Sequence, residues 1–217
     1  MTEKPILFNG EMVRAILDGR KSQTRRVIKP QPWRSIHFQG WEWGKKAMTA
    51  SAWLDAVQNP AILVQHAPYQ VSDRLWVRES IRIDSDCSAI LYAADKARVF
   101  RGKYQVQYAY YPQDWPWKHS VLPSIFMPKW ATRIWLEVTG VRAEQVQDIS
   151  EADAEAEGVT PILRDGGGFE PWGAPCPPFP CYAEVFARLW DSINAKRGYP
   201  FADNSWVWVY TFKREGE

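Results

Sequence analysis

Polar and apolar side chains alternate along residues 73–84, "DRLWVRESIRID", and this pattern commits the chain to a β-sheet. The aliphatic residues on one side of the alternation are Leu75, Val77, Ile81 and Ile83. Because successive side chains of a strand point to opposite faces, the pattern predicts β structure with one buried face. Glu79 falls on the apolar side, and a carboxylate buried there needs a cationic partner or a proton.

Other segments have the same strand character: residues 21–29 ("KSQTRRVIK"), 89–95 ("AILYAAD"), 132–146 ("TRIWLEVTGVRAEQV") and 205–212 ("SWVWVYTF"). In the third, we expect Ile134, Leu136 and Val138 to point inward. Three helical segments are interspersed with these strands without forming βαβ repeats. This order predicts an α+β fold, a mixed β-barrel with flanking helices and long loop insertions.

The first two helices have end signals. In "NGEMVRAILDG", Asn9 is the predicted N-cap and Gly19 the left-handed residue after the helix. "DISEADAEAEGV" closes at Gly158, and it opens with one of two capping-box patterns: Asp148 with Glu151, or Ser150 with Asp153.

The third helix, "YAEVFARLWDSINA", is amphipathic. Its predicted apolar face consists of Val185, Leu189 and Ile193, flanked by Phe186 and Trp190. The Pro-, Trp- and Gly-rich residues 31–68 have weak periodicity, and we interpret them as an insertion with at most a short helix near "ASAWLDAV". "LRDGGGFEPWGAPCPPFPC" is interpreted as a long loop, either a lid or a surface excursion.

The composition is that of a soluble globular protein, with 46% hydrophobic and 24% charged residues among 217. The net charge of +2 excludes a strongly basic nucleic-acid coat, so a polyanion would have to meet a local patch. The sequence has neither an apolar run of about eighteen residues nor a charged-then-apolar amino terminus. We therefore expect no membrane contact, no signal peptide and a cytoplasmic location.

The cysteines are Cys87, Cys176 and Cys181. Three thiols without a signal peptide suit a reducing compartment. The "CPPFPC" spacing is too wide for a CxxC site, and the histidines that could complete a site are His37, His66 and His119. We therefore expect small buried or surface thiols, no metal and no cofactor.

The thirteen Trp residues divide into two groups. Those at strand spacing, Trp135, Trp206 and Trp208, are interpreted as core or barrel wall. Stacking on a nucleobase is more credible for those in the irregular insertions: Trp33, Trp41, Trp43, Trp115 and Trp117.

The basic stretch "GRKSQTRR" spans residues 19–26, between the first helix and the strand that follows it. Lys21 has a structural interpretation, since cations are favoured near helix C-termini. It also has a catalytic one, as a base for the Thr24 hydroxyl, if burial and the neighbouring arginines lower its pKa. In an extended strand, Thr24 and Arg26 share one face and Gln23 and Arg25 the other.

"LDGRKSQTRR" resembles the signature of the ASCH domain family, a PUA-like β-barrel whose motif reads Gly-x-Lys-x-x-Glu-x-Arg. Gly19, Lys21 and Arg26 match it, while Thr24 replaces the Glu. The same replacement occurs in the small ASCH-type amidohydrolases that act on N4-acetylcytidine. Those enzymes also use a Glu late in a helix, and "ISEADAEAEGVT" resembles that helix with Glu157 at the matching position.

The resemblance extends over most of the chain. "DRLWVRE", "PSIFMPKWATRIWLEV" and "FARLWDSIN…WVWVYTF" look like an expanded ASCH-type protein of bacteriophages and prophages, which implies the cytoplasm of a bacterial host. It implies a single ASCH-like domain over residues 1–217, with insertions at about 31–68, 96–120 and 161–181.

By this resemblance, the chain is a metal-independent hydrolase of a modified pyrimidine nucleoside or nucleotide. Lys21 would be the base, Thr24 the nucleophile and Glu157 the proton shuttle or orienting acid. The predicted substrate-binding residues are Arg26, Arg20 and Glu79, and Glu79 could equally be a structural partner of Arg26 or Arg133. The alternatives are a module that binds RNA or single-stranded nucleic acid without chemistry, and an ASCH-type nuclease.

Overall fold

The fold is α+β, as predicted from the sequence. The computed structural model describes residues 2–35, 40–43, 46–49, 64–84, 89–99, 118–161 and 182–216, with the backbone alone described for 33–35, 40–43 and 46–49. The chain divides into two compact units. The first unit comprises Met1–Gly19, Ser72–Glu137 and Lys213–Glu217, and the second Arg20–Val71 and Val138–Phe212.

The first unit contains strands of two sheets and the first helix. Its elements are β1 (Glu3–Leu7), α1 (Gly10–Leu17), β6 (Arg74–Arg78), β7 (Ile81–Asp84), β8 (Ala89–Tyr92), β9 (Val121–Leu122) and the start of β10 (Trp135–Gln145). Strand β6 pairs in parallel with β1 and antiparallel with β10. Strand β7 lies between β8 and β9 in a three-stranded antiparallel sheet.

The predicted ends of α1 are confirmed. Asn9 caps the helix, its side chain accepting a hydrogen bond of 2.8 Å from the amide of Met12. Gly19 follows with φ of +72°, in the left-handed region that favours glycine. The alternating segment 73–84, in contrast, forms two strands, β6 and β7, with residues 79 and 80 between them.

The second unit contains the rest of β10 and the carboxyl-terminal strand. Its elements are β2 (Gln23–Val27), β3 (Trp33–Ser35), β4 (Gly40–Trp43), β5 (Lys46–Thr49), α2 (Glu151–Ala156), α3 (Tyr182–Asn194) and most of β11 (Trp206–Arg214). Strand β11 lies between β10 and β2 and pairs antiparallel with β2. The predicted inward positions of β10 are confirmed, since Leu136 and Val138 are fully buried.

Helix α2 begins at the second of the two predicted capping patterns. The Ser150 side chain accepts a hydrogen bond of 3.1 Å from the amide of Asp153. Asp148 belongs to a separate capping box with Gln145, in the short 3₁₀ turn Val146–Asp148. Glu157 is the C-cap residue of α2 and Gly158 follows with φ of +82°.

The predicted apolar face of α3 is wrong by part of a turn. The helix buries Ala183, Phe186, Ala187 and Trp190, whereas Val185, Leu189 and Ile193 are only half-buried. The two large rings direct the face inward, because Phe186 and Trp190 pack against each other at 6.1 Å and Phe186 against Phe201 at 6.5 Å. Aromatic burial outweighs the aliphatic stripe.

Residues 31–68 differ from the prediction of at most a short helix. Their strands β3, β4 and β5 form a three-stranded antiparallel sheet. The predicted helix near "ASAWLDAV" and the long loop from "LRDGGG" onward lie outside the described residues, as do His37, Trp115, Trp117, Cys87, Cys176 and Cys181. Among the described residues, no helix is long and apolar enough to cross a membrane.

Candidate functional site around Lys21

The basic turn before β2 caps a helix, but the helix is α2 rather than α1. The Ser22 amide donates to the carbonyl of Ala156 at 2.9 Å, and Arg20 Nη1 donates to that of Gly158 at 2.9 Å. Lys21 forms an isolated antiparallel bridge with Glu157, and its Nζ donates to the Glu157 carbonyl at 2.8 Å. Cationic side chains at this end of α2 favour the helix electrostatically.

Lys21 and Glu157 also form a buried ion pair. Lys21 Nζ lies 2.7 Å from Glu157 Oε2, and each residue is 3% exposed. The amine further donates to the Gln23 carbonyl at 2.8 Å, so its three hydrogens have three acceptors. The Lys21 amine is therefore enclosed.

Burial lowers the pKa of Lys21 below its ordinary value, because the charged form loses its water. The Glu157 carboxylate opposes this change, while the positive charges of Arg26 and Arg25 add to it. The net effect is a pKa of Lys21 below its ordinary value.

The second oxygen of Glu157 faces Arg25. Arg25 Nη1 donates to Glu157 Oε1 at 3.2 Å and to Gln23 Oε1 at 2.7 Å. Gln23 and Arg25 therefore share one face of β2, as the alternation predicts. The two carboxylate oxygens of Glu157 thus accept hydrogen bonds from two different cations, Lys21 and Arg25.

Thr24 and Arg26 occupy the opposite face of β2. Thr24 is fully buried and pairs across the sheet with Tyr210, and Arg26 is half-buried and pairs with Trp208. The Tyr210 and Tyr69 rings pack edge to face, with their centroids 5.0 Å apart. This face combines a hydroxyl, a guanidinium and two phenols.

The Thr24 face is polar but poorly hydrated. Burial lowers the pKa of Arg26, against the effect of Tyr69, Glu157 and Tyr210. Burial raises the pKa of Tyr210, and the backbone amide of Tyr69 counters this rise in part. Within the part of the chain that the structure describes, Tyr210 Oη has no hydrogen-bond partner of normal geometry. A ligand oxygen there would find donors with little competition from water.

The remaining predicted residues lie elsewhere. Arg20 is exposed in the turn that contacts α2. Glu79 lies in the first unit, where both of its oxygens accept from Arg133, at 2.7 and 2.8 Å. Of its two candidate structural partners, Glu79 thus contacts Arg133.

Three charged residues that the sequence did not single out as site residues complete the ion-pair network: Arg142, Glu144 and Asp153. Glu144 Oε1 accepts from Arg25 Nη2 at 2.5 Å, and Asp153 Oδ2 accepts from Arg25 at 3.1 Å and from Arg142 at 2.8 Å. Their spacing contains the signal, because Asp153 precedes Glu157 by one helical turn and Arg142 and Glu144 share a face of β10.

Among the described residues, no group of three or more His, Cys, Asp or Glu side chains has an arrangement suited to a metal ion. The polar side chains of the site are those of a lysine, a threonine, carboxylates and arginines.

Comparison with known proteins gives two solved structures of similar fold. One is an ASCH domain from Lactobacillus crispatus JV V101, with 11% identity and a TM-score of 0.39 over 98% of this chain and 79% of that one. The other is a DUF984-family protein from Enterococcus faecalis V583, with the same identity and TM-score over 98% of this chain and 76% of that one. No family model matches the chain, and no curated protein does.

Proposed function

We propose that the protein is an ASCH-type, metal-independent hydrolase that removes the acyl group of an N4-acylated cytidine nucleoside or nucleotide. The observation that carries the proposal is the 2.7 Å contact between Lys21 Nζ and Glu157 Oε2 in a buried setting. Inside a protein, a Lys–Glu pair can pass its proton and become neutral, because neither charge is solvated. A neutral amine is the base that this reaction needs.

Each step can be assigned to a residue. In the proposed mechanism, the substrate displaces one acceptor of Lys21 Nζ and the amine turns towards Thr24. The neutral amine then takes the proton of Thr24 Oγ1 as this oxygen attacks the acyl carbon. The C–N bond breaks, and Lys21 returns the proton to the departing N4 amine. Water then hydrolyses the Thr24 acyl ester, with the Lys21–Glu157 pair again accepting and returning the proton.

Substrate recognition is assigned to the Thr24 face. The Arg26 guanidinium can donate to the ring carbonyl, to a phosphate or to the oxyanion of the tetrahedral intermediate. Tyr69 supplies a ring surface for a planar base. These are the groups that a pyrimidine nucleotide requires.

The test is hydrolysis of N4-acetylcytidine by the wild type, Lys21→Arg and Glu157→Gln. Lys21→Arg keeps the charge but removes the titratable amine, so the expected loss in kcat is at least about 100-fold, the scale of general base catalysis. Lys29→Arg makes the same chemical change at an exposed lysine beyond β2 and is expected to hydrolyse as the wild type does. Equal rates for Lys21→Arg and the wild type would remove Lys21 as the base.

A second function, binding of RNA without catalysis, is favoured by one observation. The Lys21 side chain is fully enclosed, with its three donors occupied. If the pair never opens, Lys21 is a structural cation of the α2 cap, and Arg20 and Arg26 contact the nucleic acid. Retention of short RNAs by both Lys21→Arg and the wild type, without product from either, would decide for this function.

A further inference from the structure

Arg25 is the most extensively bonded residue of the network around Lys21. Its side chain is fully buried, and its Nε and Nη2 donate to Glu144 Oε1 at 3.0 and 2.5 Å. Its Nη1 donates to Gln23 and Glu157. The guanidinium also lies 5.6 Å from the centre of the Phe186 ring. The motif resemblance assigns no role to this arginine.

The contacts of Arg25 fix the orientation of Glu157. One carboxylate oxygen faces Arg25 Nη1 at 3.2 Å and the other faces Lys21 Nζ at 2.7 Å. Rotation of the carboxylate would weaken both contacts at once, in a place where no water replaces them. The planar guanidinium is itself fixed by Glu144 and Asp153 on its other edge.

The charges of the network balance. Lys21, Arg25 and Arg142 are the cations, and Glu144, Asp153 and Glu157 the anions. Arg142 contacts Glu144 and Asp153 through its own nitrogens and is more exposed than Arg25. Arg26, on the opposite face of β2, adds a further positive charge near Lys21 and Glu157.

We propose that Arg25 is the positioning residue of the Lys21–Glu157 pair: it holds Glu157 Oε1, presents Oε2 to the Lys21 amine, and withdraws part of the carboxylate charge from that amine. The catalytic meaning of this role rests on the proposed hydrolase function. The arrangement itself does not, because it concerns the proton on Lys21 whether or not a substrate reacts.

The experiment follows the Lys21 amine directly, by pH titration of its ¹⁵N-labelled side chain in NMR spectra of the full chain. In Arg25→Gln, Glu157 keeps Lys21 as its cationic contact within this network, and the positive charge of Arg25 no longer acts on the Lys21 amine. The midpoint of the Lys21 titration is therefore expected to rise. In Glu144→Gln, Arg25 loses a counter-charge and acts more strongly on Glu157 and Lys21, so the midpoint is expected to fall. If hydrolysis is present, the alkaline-rising limb of its pH profile moves in the same direction in each variant.

Arg142→Gln is the matched control. It removes the same charge from the same network but no contact with Glu157, so its effect on the Lys21 midpoint is expected to be clearly smaller than that of Arg25→Gln. Equal shifts in the two variants, or no shift in Glu144→Gln, would overturn the positioning role.

Arg25→Gln leaves the buried Glu157 and the half-buried Glu144 and Asp153 with fewer cations and could fail to fold. The double variant Arg25→Gln/Glu144→Gln removes one charge of each sign, and its Lys21 midpoint is still expected above that of Glu144→Gln. If the Lys21 midpoints shift as expected but no variant and no wild type hydrolyses acylcytidine, the positioning role is supported and the proposed reaction is wrong. If acylcytidine is hydrolysed but the Lys21 midpoints do not shift in the variants, the reaction is supported and the positioning role is wrong.

Discussion

Two buried carboxylates, Glu79 and Glu157, are stabilised in different ways. Glu79 gives both oxygens to a single guanidinium, that of Arg133, which is the bidentate geometry that fixes a structural pair. Glu157 divides its oxygens between Lys21 and Arg25. Only the second arrangement contains a partner that can lose its proton, since an arginine remains charged at any accessible pH. This difference separates a structural site from a candidate catalytic one.

The Glu79 pair gives a pH-dependent prediction for stability. Burial raises the pKa of Glu79, with Arg133 opposing the rise. Arg133→Met removes that opposition, so the folded state then holds the Glu79 proton over a wider pH range above the unfolded value of about 4.3. The free energy of unfolding of Arg133→Met is therefore expected to decrease as pH rises through this range. At neutral pH the variant should be about 3 kcal/mol less stable than the wild type.

Urea unfolding at a pH near 4.5 and again near 7.5 measures this loss. Arg82→Met is the control, because its contact with Asp84 is long, at 3.5 Å, and only part-buried, and it should contribute less than about 1 kcal/mol. An identical loss at both pH values in Arg133→Met would show that the Glu79 charge is not responsible.

At the level of single residues, the sequence predicted on which face of a strand a side chain lies better than it predicted the side chain's bonding partners. The alternation of β2 correctly separated Gln23 and Arg25 from Thr24 and Arg26, because a strand fixes side-chain direction locally. The partners of Arg25 come from β10 and α2, far along the chain, and only tertiary structure brings them together. The motif match to Glu157 named one of these partners, and the rest had no local signature strong enough to single them out.

At the level of elements, end signals and strand alternation were reliable, and helix orientation was not. Asn9 and Gly19 were identified because caps obey local backbone geometry. The face of α3 depends on what packs against it, and the Phe186 and Trp190 rings decided it. The sheet of β3, β4 and β5 was missed because Gly, Pro and Trp obscure a period of two.

The end of α1 gives a prediction that isolates backbone geometry from packing. Gly19 has φ of +72° and an added Cβ would meet nothing within 4 Å, so Gly19→Ala is expected to lose about 1 kcal/mol through backbone strain alone. Gly19→Asn should lose less, since asparagine tolerates the left-handed region.

Gly10→Ala is the matched control, at the first residue of α1 rather than beyond its last. Its added Cβ would lie 3.6 Å from Ala94, an ordinary contact, and alanine favours the helix. When thermal unfolding of the wild type and of both variants is compared, we expect Gly10→Ala to be as stable as the wild type or more stable. A loss in Gly10→Ala as large as in Gly19→Ala would contradict the assignment of the cost to the left-handed conformation.

At the level of the whole molecule, the excess of positive over negative charge is small. The net charge is +2. Within "GRKSQTRR", Lys21 and Arg25 have fully enclosed side chains and are neutralised by carboxylates, whereas Arg20 is exposed and Arg26 is half-buried. The stretch that looks most like a phosphate-binding segment in the sequence therefore presents about half of its charge.

This distribution predicts a shallow salt dependence for any binding of single-stranded RNA at the Lys21 site. Each phosphate neutralised on a single strand contributes about −0.7 to the slope of log K against log salt, so two arginines give a slope of about −1.4. Fluorescence anisotropy between about 50 and 200 mM salt measures it, and Arg26→Gln should reduce the slope by about 0.7. Lys96→Gln removes one exposed charge from the first unit and should leave the slope unchanged if the local site, rather than net charge, binds the RNA. A slope near −5 would require about seven phosphate contacts, more than this motif can make, and would place the RNA on another surface.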